Sequence, residues 1–283
     1  MRQTLSRSAL AAALVLALCG AHAPAHPAHA PAHPPHALAI TWFPQEFECP
    51  VCRTKNVFLV VGSYGSYIYQ YESKFQLIFW PYTDSPTVYS CKKCRLSAFM
   101  GDFEQTPKEK HAEILKRLEG VKLEPRKDGE SATKYYKDAV YLDIPLSERL
   151  LAAQRVYEVM GRDDEFWCHF QRVLGHRYEA EGKRPEADAA RREALRLAEK
   201  LLGDRGRAGE RKEFLYISGA MRHFLKDDAG ALKAFREAMP LKYENKELDK
   251  EKNGNYDEFL SDLLRQYVEK IERPAPKEKP KAD

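Results

Sequence analysis

Four of the six cysteines lie close together in the sequence, in two Cys-x-x-Cys turns that we call knuckles, residues 49–52 and 91–94. A structural zinc site of the Cys₄ type takes two thiolates from each of two such turns. Four sulfur ligands close the coordination shell and leave no position for an activated water. The spacing therefore predicts one structural zinc ion and no metal-assisted hydrolysis there. The predicted ligands are Cys49, Cys52, Cys91 and Cys94.

Two other uses of these cysteines stay open. Thiols tend to form disulfides in an oxidising compartment, and the sequence CPVC at residues 49–52 also resembles a redox pair. A thioredoxin-type pair opens a helix, however, whereas residues 53–55 lead into a β-branched run. Neither pair is followed by His, which argues against haem attachment. We favour structural zinc over disulfides, and disulfides over a redox or catalytic pair.

Short strands are expected to position the knuckles. Four apolar, β-branched or aromatic runs predict strands at residues 57–61, 67–71, 75–80 and 87–90. The 38 residues between Cys52 and Cys91 exceed the roughly 15–20 of a minimal zinc ribbon, which indicates an insertion. We assign the insertion to the aromatic segment 64–82, whose side chains form either the core of a small sheet or a contact surface over the site.

The motif CPVC, the aromatic segment and the run CKKCRLSAFMGDF, followed by helices, resemble a bacterial family, domain of unknown function 2225. The motifs cover residues 48–103, and the helices match by pattern. The resemblance implies a zinc-ribbon-like module in front of tetratricopeptide-like helices, and it implies no activity. The family commonly places Gly after the second cysteine of each knuckle, where Gly eases the tight turn. This chain has Arg53 and Arg95 there.

Beyond residue 105 the apolar residues change to the three-and-four spacing of helices. Thr106 as N-cap, with Pro107 and Glu109 behind it, predicts a helix over residues 106–118, and a charged loop follows to residue 133. Further helices are predicted at residues 146–160, 165–181, 185–202, 209–226, 229–239 and 256–271.

Small and aromatic residues in these helices match the signature of a tetratricopeptide repeat, whose period is about 34 residues. The first set comprises Leu174, Gly175, Tyr178, Gly182, Ala187 and Ala194. Part of the pattern recurs at Gly219, Ala231, Phe235 and Ala238. Such helix pairs stack through their small residues, and a partner binds along the first helix of each pair.

A protein or peptide ligand is therefore expected on the helical array. The candidate contact residues are Arg172, His176, Arg177, Arg222 and His223. The alternative stays open that each is simply a solvated charge on a helical face. Cys168, beside Trp167 in a helix, is interpreted as a small buried side chain.

The amino-terminal residues predict export. A pair of arginines, an apolar run at residues 9–18 and the sequence Ala-His-Ala at 21–23 form a signal peptide over residues 1–23. The run is shorter than the roughly 20 residues that span a bilayer, so no transmembrane segment is expected. We predict a periplasmic or secreted protein. The alternative is a lipoprotein acylated at Cys19, which ends the sequence Leu-Ala-Leu-Cys.

Two low-complexity stretches flank the predicted folded part. Residues 24–39 are rich in Ala, Pro and His and form either a solvated linker, which we favour, or a weak site for zinc, copper or nickel. Residues 273–283 are expected to be a disordered tail. The chain has 46 Lys and Arg against 42 Asp and Glu, and this near balance argues against a nucleic-acid partner.

These patterns together predict an α+β protein. A small Cys₄ zinc-ribbon-like β module (40–105) is followed by a helix and linker (106–133) and an all-α, tetratricopeptide-like helical domain (134–272). The sequence contains no glycine-rich phosphate loop, His-Glu-x-x-His or Gly-x-Ser-x-Gly, so we expect no enzyme. We predict an exported, noncatalytic adaptor. The alternative is an envelope metal-handling or thiol-redox protein that uses the His-rich tract and the cysteine pairs.

Overall fold

The computed structural model describes residues 41–63, 85–126 and 131–273. Small antiparallel hairpins near the cysteines precede a mostly helical part, so the α+β prediction is confirmed. The predicted signal peptide, the His-rich linker and the aromatic insertion lie outside the described residues, as does all of the tail except residue 273. No helix of the described part is long and apolar enough to cross a membrane.

Among the described residues, four strands form two separate two-stranded antiparallel sheets. The strands are β1 (Thr41–Glu48), β2 (Lys55–Ser63), β3 (Val88–Ser90) and β4 (Ser97–Phe99). β1 pairs with β2 and β3 pairs with β4, so that each knuckle is the turn of one hairpin. The strands expected at residues 67–71 and 75–80 lie outside the described residues.

β1 and β4 were not predicted. The sequence of β1, TWFPQEFE, mixes a proline with polar residues, and most of its side chains are exposed. Proline is tolerated only at the edge of a sheet, and β1 is an edge strand that pairs with β2 alone. β4 has only three residues, all buried, which is too short for a recognisable period. Both strands depend on their hairpin partner more than on their own residues.

In the part of the chain that the structure describes, eight α-helices follow the second hairpin. They are α1 (Met100–Phe103), α2 (His111–Arg117), α3 (Leu146–Met160), α4 (Asp164–Ala180), α5 (Arg184–Leu202), α6 (Arg211–Phe224), α7 (Asp228–Ala238) and α8 (Lys250–Glu272). Short 3₁₀ helices lie at residues 85–87, 108–110, 132–134, 140–143 and 205–210. The predicted bounds of α3 agree with the structure; α4 and α7 are each shifted by one residue towards the amino terminus, and α5 begins one residue earlier than predicted.

The prediction of a helix that starts at a Thr106 cap was wrong. The hydroxyl of Thr106 donates to the carbonyl of Phe103 at 3.0 Å, and it caps nothing. A 3₁₀ turn at Lys108–Lys110 comes next, so α2 begins only at His111. Thr106 is buried, and it satisfies its hydroxyl on the preceding turn instead of on the following one.

The start of α8 was also misplaced. Asp249 accepts a hydrogen bond from the backbone N–H of Lys252 at 2.8 Å and caps the helix, which begins at Lys250, six residues before the predicted start. The first turn of α8 is polar and mostly exposed, so it lacks the apolar spacing on which the prediction relied. Similarly, α6 is preceded by a 3₁₀ helix at Arg205–Glu210 where a continuous helix from residue 209 was expected.

Two hydrophobic cores stabilise the described part of the chain. The first joins both hairpins to α2, α3, most of α4 and the beginning of α5, and it includes Phe58, Tyr89, Phe103, Tyr141 and Tyr157. The second joins Cys168 of α4 and the rest of α5 to α6, α7 and α8, and it includes Leu197, Phe214, Phe235 and Leu264. The first core therefore continues across residue 105, where the β module was predicted to end.

The small residues of the repeat signature lie where helices approach closely. A Cβ on Gly219 of α6 would lie 2.4 Å from the ring of Phe235 on α7. A Cβ on Gly175 of α4 would lie 3.3 Å from the carbonyl of Ala187 on α5. Ala187, Ala194, Ala231 and Ala238 are fully buried. The α4–α5 and α6–α7 pairs thus need small side chains at these positions.

Candidate metal centre

The two knuckles have the same backbone geometry. In the first, the N–H of Cys49 donates to the carbonyl of Thr54 at 2.9 Å, and the N–H of Arg53 donates to the carbonyl of Cys49 at 2.9 Å. The second knuckle repeats both hydrogen bonds between the equivalent residues of 91–96, at 2.8 and 3.1 Å. Each turn thereby closes on itself and directs its two sulfurs to the same side.

The residue after the second cysteine of each knuckle is left-handed. Arg53 has φ 60° and Arg95 has φ 67°. Glycine takes this conformation without penalty, whereas another residue pays about 1–2 kcal/mol. The chain therefore keeps the tight turn despite its arginines. The Arg53 side chain pairs with Glu48 at 2.9 Å, and the Arg95 guanidinium donates to the carbonyl of Lys92 at 3.1 Å.

The four sulfurs converge on one point. All four Sγ atoms lie within 4.8 Å of one another. Across the knuckles, Cys49 Sγ lies 3.6 Å from Cys94 Sγ, and Cys52 Sγ lies 3.5 Å from Cys91 Sγ. Zinc bound tetrahedrally at about 2.3 Å from each sulfur would separate the sulfurs by about 3.8 Å. The arrangement therefore fits one metal ion held by four cysteines.

The cysteines of the described residues are all free thiols. Cys49 and Cys91 are buried, and Cys52 and Cys94 are partly exposed. Within the described ranges no other group of three or more His, Cys, Asp or Glu side chains is arranged to hold a metal. The centre of the knuckles is thus the metal site that this part of the chain offers.

The thiols are poised to exchange protons for a cation. Hydrogen bonds from Cys49 and Cys94 lower the pKa of Cys91 well below its ordinary value of 9.0. The hydrogen bond to Cys91 raises the pKa of Cys49 to about 12, and hydrogen bonds to Cys49 and Cys91 raise the pKa of Cys94. A second thiolate is therefore costly until a divalent cation replaces the protons, as metal binding by cysteines requires.

Two polar residues beside the knuckles were missed by the sequence analysis. The thiol of Cys52 donates a hydrogen bond to Oγ1 of Thr54 at 3.2 Å. Asn56, at the beginning of β2 and 4% exposed, contacts the second knuckle through its side-chain amide. The sequence gives one signal for Asn56, an asparagine at the start of a mostly apolar strand. If such a residue is buried, its amide requires hydrogen-bond partners.

Tyrosine hydroxyl groups attach the first hairpin to the helical part. Tyr141 accepts from the N–H of Leu59 at 3.1 Å and donates to the carbonyl of Pro86 at 2.9 Å. Tyr89 donates to the carbonyl of Leu59 at 2.9 Å. The rings of Phe58 and Tyr89 stack with centroids 4.2 Å apart. The strand behind the first knuckle is thus fixed on both its backbone and its side-chain face.

Residues of α3 attach the second hairpin. The fully buried guanidinium of Arg149 donates to the carbonyls of Ser85 and Val88 at 2.8 and 2.6 Å. Burial lowers the pKa of Arg149 to about 10. Tyr157 accepts from the N–H of Phe99 at 2.9 Å and donates to Asp102 at 2.8 Å. The knuckles are therefore positioned by main-chain hydrogen bonds from the helical part.

The structure separates the five candidate partner-binding residues. Arg172 and His176 are each only 5% exposed, because both face the interior of the helix pairs, and they offer a partner little surface. Arg177 is partly exposed. Arg222 pairs with Glu199 at 2.6 Å and Asp227 at 2.8 Å, and His223 contacts Asp228 at 2.5 Å. Both side chains thus have an acidic neighbour on the helix surface.

Cys168 is fully buried, and its thiol donates to the carbonyl of Ala194 at 3.5 Å. Burial raises the pKa of this thiol to about 12, so it stays protonated and unreactive at neutral pH. It lies in α4, whereas the knuckles lie in the hairpins. Cys168 packs as a small apolar side chain, and it belongs to the second core.

Buried charges between α4, α6 and α8 were also missed. Lys212 is 1% exposed and donates to Asp257 at 2.5 Å and to Ser261 at 2.7 Å. Its neighbour Glu213 accepts from the hydroxyl of Tyr256 at 2.9 Å, and burial raises the pKa of Glu213 to about 7. These contacts join α6 to α8. The sequence does not reveal them, because a charged residue in an amphipathic helix is normally expected on the solvated face.

A family model for "uncharacterized protein conserved in bacteria (DUF2225)" matches residues 42–259. The match covers both knuckles and all helices except the end of α8, which is more than half of the chain. No curated protein and no solved structure is significantly similar to the sequence. The chain therefore belongs to the DUF2225 family.

Proposed function

We propose that this chain is an exported, noncatalytic adaptor whose Cys₄ centre holds one structural zinc ion and whose helices bind a protein or peptide. The observation that carries the proposal is the convergence of four sulfurs from two hairpin turns. Each hairpin is a sheet of only two strands, which is marginal on its own. A closed zinc site would cross-link the hairpins and add folding energy without supplying a reactive position.

The donor set supports zinc over harder metals. Thiolates are soft ligands that select zinc, copper(I) or iron in preference to magnesium or calcium. Four sulfurs with tetrahedral spacing suit zinc or iron. Zinc undergoes no redox change, which suits a structural role. Copper(I) commonly takes fewer ligands than the four that converge here, so zinc is the ion we propose.

Features outside the metal site support the remaining parts of the proposal. The signal-like residues 1–23 support export, and the paired helices α4–α5 and α6–α7 offer surfaces of the kind that helical repeats use for partners. Arg177, Arg222 and His223 are the partly exposed candidates on those helices. Because Arg172 and His176 are buried, we propose that the partner contacts Arg177, Arg222 and His223.

Metal and thiol analysis of protein purified from its export compartment tests the proposal. We expect about one tightly held zinc per chain and no disulfide. A Cys49→Ser variant should lose the zinc, because the three remaining sulfurs no longer complete the four-ligand site. Cys168→Ala is the matched control, since it removes a buried thiol far from the knuckles in the fold and should retain the metal. Stoichiometric zinc in the Cys49→Ser protein would refute the assigned ligands.

A thiol-redox function is the second candidate. The observation that favours it is the pair of cross-knuckle sulfur distances, 3.6 Å for Cys49 and Cys94 and 3.5 Å for Cys52 and Cys91. Small movements would allow a disulfide of about 2.05 Å. The same measurements distinguish the candidates. Metal-free protein with a reversible disulfide across the knuckles supports the redox function and excludes the structural zinc.

A further inference from the structure

Asn56 connects the two knuckles through one side chain. It is the second residue of β2 and is 4% exposed. Its Nδ2 donates to the carbonyl of Thr54 at 2.8 Å and lies 3.7 Å from Sγ of Cys91. Its Oδ1 accepts from the N–H of Lys92 at 2.9 Å. The side-chain amide therefore uses both its hydrogens and its oxygen. It makes one contact with Thr54, just after the first knuckle, and two with the second knuckle.

The second knuckle has no equivalent residue. The knuckles match in backbone hydrogen bonds and in the left-handed arginine, and by that correspondence Asn56 is equivalent to Ala98. Alanine has no side-chain donor. The two knuckles therefore differ at this position, where the first hairpin has Asn56 with an N–H directed at Sγ of Cys91.

We propose that Asn56 is a positioning residue of the metal centre, which orients Cys91 and tunes the electron density of its sulfur. The inference rests on the proposed metal site. An N–H donated to a thiolate draws electron density from the sulfur and reduces its charge, while the bond to Lys92 fixes the turn that carries it. Hydrogen-bonding partners of metal ligands commonly change metal affinity 10–100-fold when they are removed.

The alternative is that Asn56 only braces the fold. The spectrum of the bound metal separates the two roles. Asn56→Asp keeps the acceptor for the N–H of Lys92, but it loses the donor to Thr54 and replaces the donor to Cys91 with an anionic oxygen. Asn56→Ser, which is neutral and shorter, removes the contact with sulfur without adding charge. Ser97→Ala is the matched control. In the hairpin that carries Cys91, it deletes hydrogen bonds to Ser90 at 2.7 Å and to the carbonyl of Arg95 at 3.0 Å, and no sulfur takes part in either bond.

The experiment uses the full chain with zinc and cobalt(II) as probes. Zinc affinity is measured by competition with a chromophoric chelator, and the sulfur-to-cobalt charge-transfer band is recorded for the cobalt protein. Both Asn56 variants should bind zinc about 10–100-fold more weakly. Their charge-transfer bands should move to longer wavelength, because a more electron-rich sulfur is easier to oxidise. Ser97→Ala should change neither quantity.

The outcomes are distinct. Wild-type zinc affinity and an unshifted band in either folded Asn56 variant would overturn the inference. A weaker affinity with an unshifted band in both variants would also overturn it, because a brace alone produces that result. If the wild-type protein binds neither zinc nor cobalt, the proposed metal site itself is refuted.

Discussion

At the residue scale, the cysteines and the residues around them differ in what the sequence revealed. The four proposed ligands follow from spacing, because two Cys-x-x-Cys turns have few other uses. The left-handed conformation of Arg53 and Arg95 does not follow from residue type, since arginine disfavours it. Nor does Asn56, whose partners lie 36 residues away in sequence at Lys92 and 35 away at Cys91. Residues that depend on distant partners need the fold before they can be recognised.

Replacing Arg95 with Gly should stabilise the fold. Glycine removes the left-handed penalty, so we expect a gain of about 1 kcal/mol in the free energy of unfolding, reduced somewhat by the entropy of the unfolded glycine. Arg95→Ala is the control, because it removes the same side chain but keeps the Cβ and the strain. The measurement is urea unfolding of the metal-loaded proteins. An alanine variant as stable as the glycine variant would show that the backbone is not strained.

At the scale of elements, periodicity located most of the helices, because α3, α4, α5 and α7 bury one continuous apolar face. Periodicity failed where stability comes from elsewhere. α2 is delayed by a 3₁₀ turn, α8 starts with a polar turn capped by Asp249, and β1 depends on pairing with β2. The small residues Gly175 and Gly219 were correctly expected at helix contacts, because a close approach excludes larger side chains.

Gly219→Ala should separate α6 from α7. The new Cβ would lie 2.4 Å from the Phe235 ring, so the ring or the helix must move, and we expect a loss of about 1–3 kcal/mol. Gly254→Ala in α8 is the matched control, since nothing lies within 4 Å of its Cβ position. That control should gain about 0.5–1 kcal/mol from helix propensity. Chemical denaturation measures both changes, and equal effects at the two glycines would contradict the close contact.

At the scale of the whole molecule, the described residues form two hydrophobic cores, and the metal centre belongs to only one of them. Cys49 and Cys91 are members of the first core, together with residues of α3 such as Leu150 and Tyr157. The second core contains no knuckle residue. Loss of the metal should therefore weaken the two parts of the chain to different extents.

Removal of the proposed zinc with a strong chelator should loosen the first core and spare the second. Hydrogen exchange followed by mass spectrometry is the measurement. Amides of β2 and β4 should lose protection because the cross-link between their hairpins is gone, whereas amides of α6 and α7 should keep it. The metal-free Cys49→Ser protein should show the same pattern without chelator. Uniform loss of protection along the chain would contradict the separation of the cores.

Tyr141, Arg149 and Tyr157 hold the hairpins mainly by main-chain atoms, namely the N–H groups of Leu59 and Phe99 and the carbonyls of Ser85, Pro86 and Val88. Every residue type supplies a carbonyl, and every type except proline supplies an N–H. Most substitutions in the hairpins would therefore leave the partner atoms of these hydrogen bonds in place. These hydrogen bonds should therefore constrain the sequences of relatives on one side only: they require the three anchoring side chains, and they set no requirement of their own on the side chains of the residues that are bound.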